Sequence, residues 1–443
     1  MSLKPSIYSN VTITGRDGTS VDIRLGCVSI DFYEDLLSPC ISVKIQIANS
    51  GGAIKDGKKA VSLYDGLKIR GGEVLQLRIE SNSGTNIPID FTTKPLFVRG
   101  IKNLMRDSQK EFFQMTLTTI EVYESETSFL VKRYPKEVRI SDHVQTIINE
   151  SFSDPGEVEI DPTANPHGFY GNQMHPFEAL IRLASKAVPA STSSSGTQGA
   201  GTAGYFFYQT IDGLKFKSID NLMGQQPKAS YVYTEVNDAA CDFVPSSNLS
   251  SPDFRIISFD ILENQDLVDK LQKGTYSTQR RYFNPLTQNV TSTEFNFTGE
   301  QYSKSIENLG EFFKPEELSL VGANVSFADI PTKVLTEQID VGTSDIGVET
   351  EIDSDPAEYS AQRIMRYNTL FTQVVSVMVP LNSNLHAGDI INCELPKIGG
   401  GGNNDIDTRQ TSGLYMIKEI NHHFDPRGSW TSMKLIRDTF GLK

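Results

Sequence analysis

Apolar and polar residues alternate with a period of two through much of residues 10–125. Val11 and Ile13 alternate with threonines, Gly15-Arg-Asp-Gly18 supplies a turn, and Val21, Ile23 and Leu25 resume the alternation, which predicts a hairpin. Residues 41–47 read Ile-Ser-Val-Lys-Ile-Gln-Ile, so one strand face is wholly apolar and the other polar. Asn49-Ser-Gly-Gly52 ends that strand, and residues 74–79, 96–98 and 113–120 follow the same rule. Short strands separated by turn residues predict a small barrel or sandwich.

The period then changes. Residues 141–152 carry apolar side chains at 144, 147, 148 and 152, a helical spacing with Ser141 as N-cap. Residues 175–187 predict a second helix, with Pro176 in its first turn and a stripe of Phe177, Leu180, Ile181 and Ala184. Residues 189–204 form a Ser/Thr/Gly/Ala loop without apolar anchors, expected to be mobile. Tyr205-Phe-Phe-Tyr208, the Asp212-Gly213 turn and residues 214–217 predict a hairpin that completes a small α/β unit. Beyond it, residues 254–261 read as strand, 266–274 as a short helix closed by Gly274, and 276–297 as a hairpin around Asn284-Pro285. Residues 358–370 predict a helix, and 374–442 return to strands interrupted by the Gly/Asn-rich stretch 399–413.

Composition narrows the classes. The 443 residues allow two to four domains, each able to bury a core without staples. Cys27, Cys40, Cys241 and Cys393 form no CxxC pair, which argues against a disulfide framework or zinc ribbon and for reduced thiols. The N-terminus lacks a secretory apolar region, and the longest apolar stretch, around 374–381, is far too short to cross a bilayer. The sequons at Asn10, Asn248, Asn289 and Asn296 therefore read as chance matches. A net charge of −14 argues against general nucleic-acid binding. Residues 335–362 hold eight acids and no Lys or Arg, a pattern of solvated or partner-facing segments.

The first and last strand regions resemble each other. Gly72-Glu-Val-Leu75 matches Gly388-Asp-Ile-Ile391 at an offset of 316; Leu96-Phe-Val-Arg-Gly-Ile101 matches Tyr415-Met-Ile-Lys-Glu-Ile420 at 319; Gln114-Met-Thr-Leu117 matches Ser432-Met-Lys-Leu435 at 318. Three blocks at nearly one offset imply two copies of a β module.

On these residues, with the helix Ala179-Leu-Ile-Arg-Leu-Ala184 and the aromatic hairpin 205–216, the chain resembles the central hub proteins of contractile phage tail baseplates. Their β module also occurs in the N-terminal part of type VI secretion spike proteins. The resemblance covers most of the chain as an order of elements. It implies a mainly β fold with α+β insertions: two tail-tube-like antiparallel β-barrel modules, a small α/β domain and an acidic insertion. The implied domains are 1–125 (first module), 126–225 (α/β), 226–262 with 363–443 (second module) and 263–362 (insertion). It further implies a homotrimer whose six modules make a pseudo-six-fold ring, with module edges pairing across subunits. The implied partners are a spike protein below, a tail tube or tube-initiator protein above, and wedge and tape-measure proteins. DNA would pass only in transit, in a virion component made in the host cytoplasm, with no membrane-spanning segment. The two long loops depart from the family pattern. The sequence stops soon after its last strand, so a longer tail domain is expected to be absent.

The residues themselves suggest no catalytic, cofactor or metal site. His422 and His423 are strand neighbours and should face opposite ways, and His143, His167 and His175 form no HExxH or HxH pattern. There is no GxSxG, Walker A or GxGxxG motif, and Gly399-Gly-Gly-Gly-Asn-Asn404 lacks the lysine of a phosphate loop. The aromatic hairpin could pack a core or stack sugars, and Arg280-Arg281 could anchor an interface or cap a solvated hairpin tip. The competing functional classes are a carbohydrate-binding tail adhesin or fibre component, which needs an exposed aromatic cleft, and a tail-associated hydrolase.

Overall fold

The computed structural model describes residues 3–49, 54–56, 59–81, 86–107, 110–190, 202–233, 252–285, 288–296, 307–310, 326–338, 357–396 and 410–441. Among the described residues up to 118 there are ten strands: β1 (Ser6–Thr14), β2 (Ser20–Asp22), β3 (Cys27–Asp35), β4 (Ser42–Asn49), β5 (Ile54–Asp56), β6 (Lys59–Val61), β7 (Val74–Ser81), β8 (Ile89–Asp90), β9 (Leu96–Arg106) and β10 (Glu111–Thr118). Alternation does the work expected of it: in β4, Val43, Ile45 and Ile47 are buried while Lys44 and Gln46 face outward. Each such side chain contributes about 1.5–3 kcal/mol by leaving water. The main path runs β2-β1-β7-β9-β10-β4-β3, antiparallel throughout, and wraps one apolar core. The first hairpin is shorter than its pattern implied. β2 stops at Asp22, whose carboxylate is gripped by the Arg24 guanidinium at 2.6 Å, and a single 3₁₀ turn leaves Leu25 in solvent.

The second module contains β16 (Ala229–Tyr233), β17 (Arg255–Ile256), β18 (Ser258–Asn264), β22 (Gln373–Pro380), β23 (Ile390–Glu394), β24 (Gly413–Phe424) and β25 (Trp430–Arg437). Its path β23-β24-β25-β22-β18 reproduces β7-β9-β10-β4-β3, in the same chain order. The likeness reaches single hydrogen bonds. Gly72 N donates to Val98 O and Val98 N to Glu73 O; Gly388 N donates to Ile417 O and Ile417 N to Asp389 O. Both glycines sit at positive φ, 86° and 87°. Each following acid satisfies turn amides: Glu73 accepts from Arg70 N and Gly71 N, and Asp389 from His386 N. A bulge skips Arg99 in β9 and Lys418 in β24. The offsets 316, 319 and 318 thus mark equivalent residues separated by loops of slightly different length. The copies differ at one flank, where β16 runs parallel to β23 but β1 runs antiparallel to β7.

Between the modules, α2 (Ile120–Thr127), β11 (Arg133–Tyr134), α3 (Ile140–Ser151), β12 (Glu157–Ile160), β13 (Phe169–Tyr170), α4 (Pro176–Ala184), β14 (Tyr205–Thr210), β15 (Gly213–Ser218) and α5 (Ile219–Met223) build the α/β unit; α1 (Leu63–Leu67) belongs to the first module. α3 starts a residue before Ser141, with Arg139 at the cap, because the Ser141 side chain is engaged by Thr163. In α4 the buried stripe uses Leu183, and Ile181 is exposed. Only the ends of the 189–204 loop are described, and one end is anchored: Thr202 donates its amide and hydroxyl to the buried Asp220.

α6 (Leu267–Lys273) has Asp266 as N-cap and Gly274 at φ 72° as its left-handed C-cap. β19 (Ser277–Asn284), β20 (Asn289–Asn296) and β21 (Lys333–Gln338) form a separate sheet beneath α7 (Ala357–Thr369). Of the acidic stretch, 339–356 lie outside the described residues. Its first part is β21, where Glu337 pairs with Arg280, and its last part enters α7.

Arg366 of α7 ties these units together. Fully buried, it contacts Asp220 of α5 at 2.6 Å, Asp438 after β25 at 3.5 Å and the Glu307 carbonyl at 3.0 Å. Removing one member of a buried ion pair strands the others. Arg366→Ala is therefore expected to cost about 3–5 kcal/mol in chemical denaturation. A second expectation concerns the turn glycines. Gly72→Ala should cost about 1–2 kcal/mol from its positive φ alone. Gly388→Ala should cost more, because the new methyl would lie 2.6 Å from the Tyr208 hydroxyl.

Candidate assembly interface

The two modules meet edge to edge. β3 of the first pairs with the C-terminal half of β24 of the second, antiparallel, from Asp35 opposite Glu419 to Ile30 opposite Phe424. β24 is long enough to serve two partners on that side, β23 along residues 413–416 and β3 along 419–424. One sheet therefore runs through both modules. Where the strands meet, Ile30, Phe32, His422 and Phe424 are all at most 2% exposed.

The histidine pair divides as a period of two requires. His422 faces the core, bonded to Thr431 Oγ1 at 3.0 Å and the Leu385 carbonyl at 3.2 Å. Burial pushes its pKa down to about 4, so it is neutral. His423 faces the other way, against Asp31 at 2.7 Å and stacked on Trp430.

A buried carboxylate fixes three units at one point. Glu34, next to last in β3, is fully buried; it accepts from Ile211 N at 2.8 Å, from Ala387 N at 3.0 Å and from His386 Nδ1 at 3.2 Å. Those partners belong to the β14–β15 turn and the approach to β23. Burial pushes the Glu34 carboxyl up, but His386 and the two amides outweigh it and hold it below the usual range. Burial pushes His386 down, but Glu34, Asp212 and Asp389 outweigh it and hold it above the usual range. The sequence reading assigned Glu34 and His386 no role. A signal existed for Glu34: it continues the inward face of Ile30 and Phe32, where an acid needs a partner.

Tyr205, Phe206, Phe207 and Tyr208 are all buried, so the hairpin is core and offers no stacking face. Arg280 is mid-strand and buried, not a hairpin tip; it donates to Ser360 and to Glu337. The glycine-rich stretch lies mostly outside the described residues. Cys27, Cys40 and Cys393 are free thiols. A cavity of about 330 Å³ separates the first module from the α/β unit, and Gln209 bridges it by accepting from Ile41 N and the Thr119 hydroxyl. Among the described residues no three His, Cys, Asp or Glu side chains converge as metal ligands, and no helix is long and apolar enough to cross a membrane.

No family model matches the chain, and no curated protein matches it. Solved structures do. The 43 kDa tail protein of prophage MuSo2 from Shewanella oneidensis superposes with TM-score 0.51 at 9% identity, over 97% of this chain and 98% of that one. The tail protein from Neisseria meningitidis MC58 gives 0.52 at 9%, over 99% and 98%. The chain shares the mainly β fold of these tail proteins along its whole length.

The junction makes stability pH-dependent in a stated direction. His386 holds its proton more tightly folded than unfolded, so its contribution is complete below 6.5 and fades as pH rises through its raised folded value. His422 works oppositely: its contribution is lost as pH falls from 6.5 toward 4. Glu34→Gln is expected to destabilise by about 3–5 kcal/mol near pH 6 and by less near pH 9, read from denaturation curves at both pH values.

Proposed function

We propose that the chain is a structural hub of a contractile phage tail baseplate and a virion component rather than an enzyme. Three copies form a ring of six β modules around a channel. The observation that carries this reading is that one chain holds two copies of a module and joins them edge to edge in a single sheet. Three such chains present six similar surfaces to a six-fold tail tube or its initiator while keeping three-fold symmetry toward a spike. Wedge and tape-measure proteins are further partners in this reading. Its domain scheme is 1–125, 126–225, 226–262 with 363–443, and 263–362. The whole-length fold likeness to two tail proteins supports it, as does the burial of the aromatic hairpin, which leaves that hairpin no exposed face for an adhesin's cleft.

The charge acquires a role here. Three chains carry three times −14, about −42. Acids along the channel would repel phosphates and let DNA pass without sticking.

Solution mass tests the reading. Light scattering is expected to give three times 49.1 kDa, about 147 kDa, and electron micrographs end-on views with six lobes. A stable dimer would overturn it.

A further inference from the structure

The internal joint has an uncovered counterpart. Within the chain, the outer edge of β3 is covered by residues 419–424 of β24. The repeat makes β18 the equivalent of β3, and residues 100–106 of β9 the equivalent of that half of β24. Neither has a strand partner on that side among the described residues: β18 pairs only with β22, and β9 only with β10 and, through Leu96 and Phe97, with β7. Burial records the difference. The His423 side chain is 14% exposed, whereas its equivalent Met105 is 61% exposed and Leu104 beside it 40%. Phe32 is 1% exposed, whereas its equivalent Ile261 is 43% exposed and Leu262, at the adjoining bulge, 54%.

We infer that β18 of one chain adds to β9 of a second copy, antiparallel, and so makes the intermolecular joints of the ring. This rests on the trimer reading and identifies its contact. The register follows from the repeat. In the ladders, Ser42 and Val374 are equivalent, so Tyr33 maps to Glu263, and Asn421 maps to Lys102. Tyr33 stands opposite Asn421 in the internal joint, so Glu263 stands opposite Lys102 in the external one. Asp31 opposite His423 becomes Asp260 opposite Met105, with Arg106 beside it. The edges are complementary in charge: β9 presents Arg99 and Lys102, with Arg106 paired to Asp65 at 3.1 Å, and β18 presents Asp260 and Glu263. Each also carries two exposed apolar side chains for the other to cover. Three internal and three external joints link six modules and cover both the β3 and the β18 edges.

Full-length Lys102→Glu and Glu263→Lys each put like charges opposite one another, and each is expected to weaken assembly about tenfold; K102E/E263K together should restore it. Mass against concentration reads all four proteins. Hydrogen exchange on the unaltered trimer gives a second readout, with amides of 258–264 and 101–106 slowing on assembly. A trimer whose β18 and β9 amides exchange freely, or charge variants without effect or without mutual rescue, would overturn this joint and leave the trimer reading standing. A chain that remains monomeric at its highest soluble concentration would overturn the joint, because complementary edges must associate unaided.

Discussion

A strand edge carries a row of amide and carbonyl groups that must find partners, and the ladder between β3 and β24 is where this chain meets that demand between its two halves. Each backbone bond contributes only about 0.5–1.5 kcal/mol net. Its larger effect is geometric. Once β3 is in register with β24, the first core is closed against Phe424 and Leu381, and Glu34 is delivered to His386 and Ala387. A slip of one residue would turn Ile30 and Phe32 outward and place Asp31 inside. The register is thus held by apolar burial on one face and a charged contact at its end.

The seams between units rely on polar groups more than on area. Glu34 joins three units through two amides and one imidazole, and Arg366 joins α7, α5 and the chain's end through two carboxylates. Such groups are costly to bury and favourable only when satisfied together. They therefore specify one arrangement of modules where apolar surfaces alone would tolerate several.

Much of this was legible in the sequence. Period-2 strands, the α6 caps and the repeat all rest on local chemistry: an alternating face, an Asp before a helix, a Gly-acid turn before a strand. The repeat was legible because its turn needs a glycine at positive φ followed by an acid that satisfies the turn amides, and few other residues do both. What escaped had no local signature. The β3–β24 pairing joins segments nearly 400 residues apart, and the parallel direction of β16 depends on an excursion rather than on its own residues. Ser141 was misread as a cap because Thr163, its actual partner, lies 22 residues away. Arg280 could be read as an interface anchor or a hairpin tip because sequence does not reveal that β21 and α7 cover it.

The two kinds of joint also explain why the repeats diverged where they did. The internal joint forms between tethered strands, so its effective concentration is high and its residues can be buried from the start. It uses Phe32, Phe424 and a neutral His422. An edge that must wait in water for a second chain faces the opposite requirement, since an apolar edge would pair with anything. On the external edges Lys102 stands where the internal joint has Asn421, Glu263 where it has Tyr33 and Arg106 where it has Phe424, and Asn103 adds a bulge at φ 54° that the internal joint lacks. Charges of opposite sign on the two edges reject self-pairing of like edges and accept the complementary one. The exchange is complete at one position, where the buried Phe424 of the internal joint is replaced by Arg106 at the external edge.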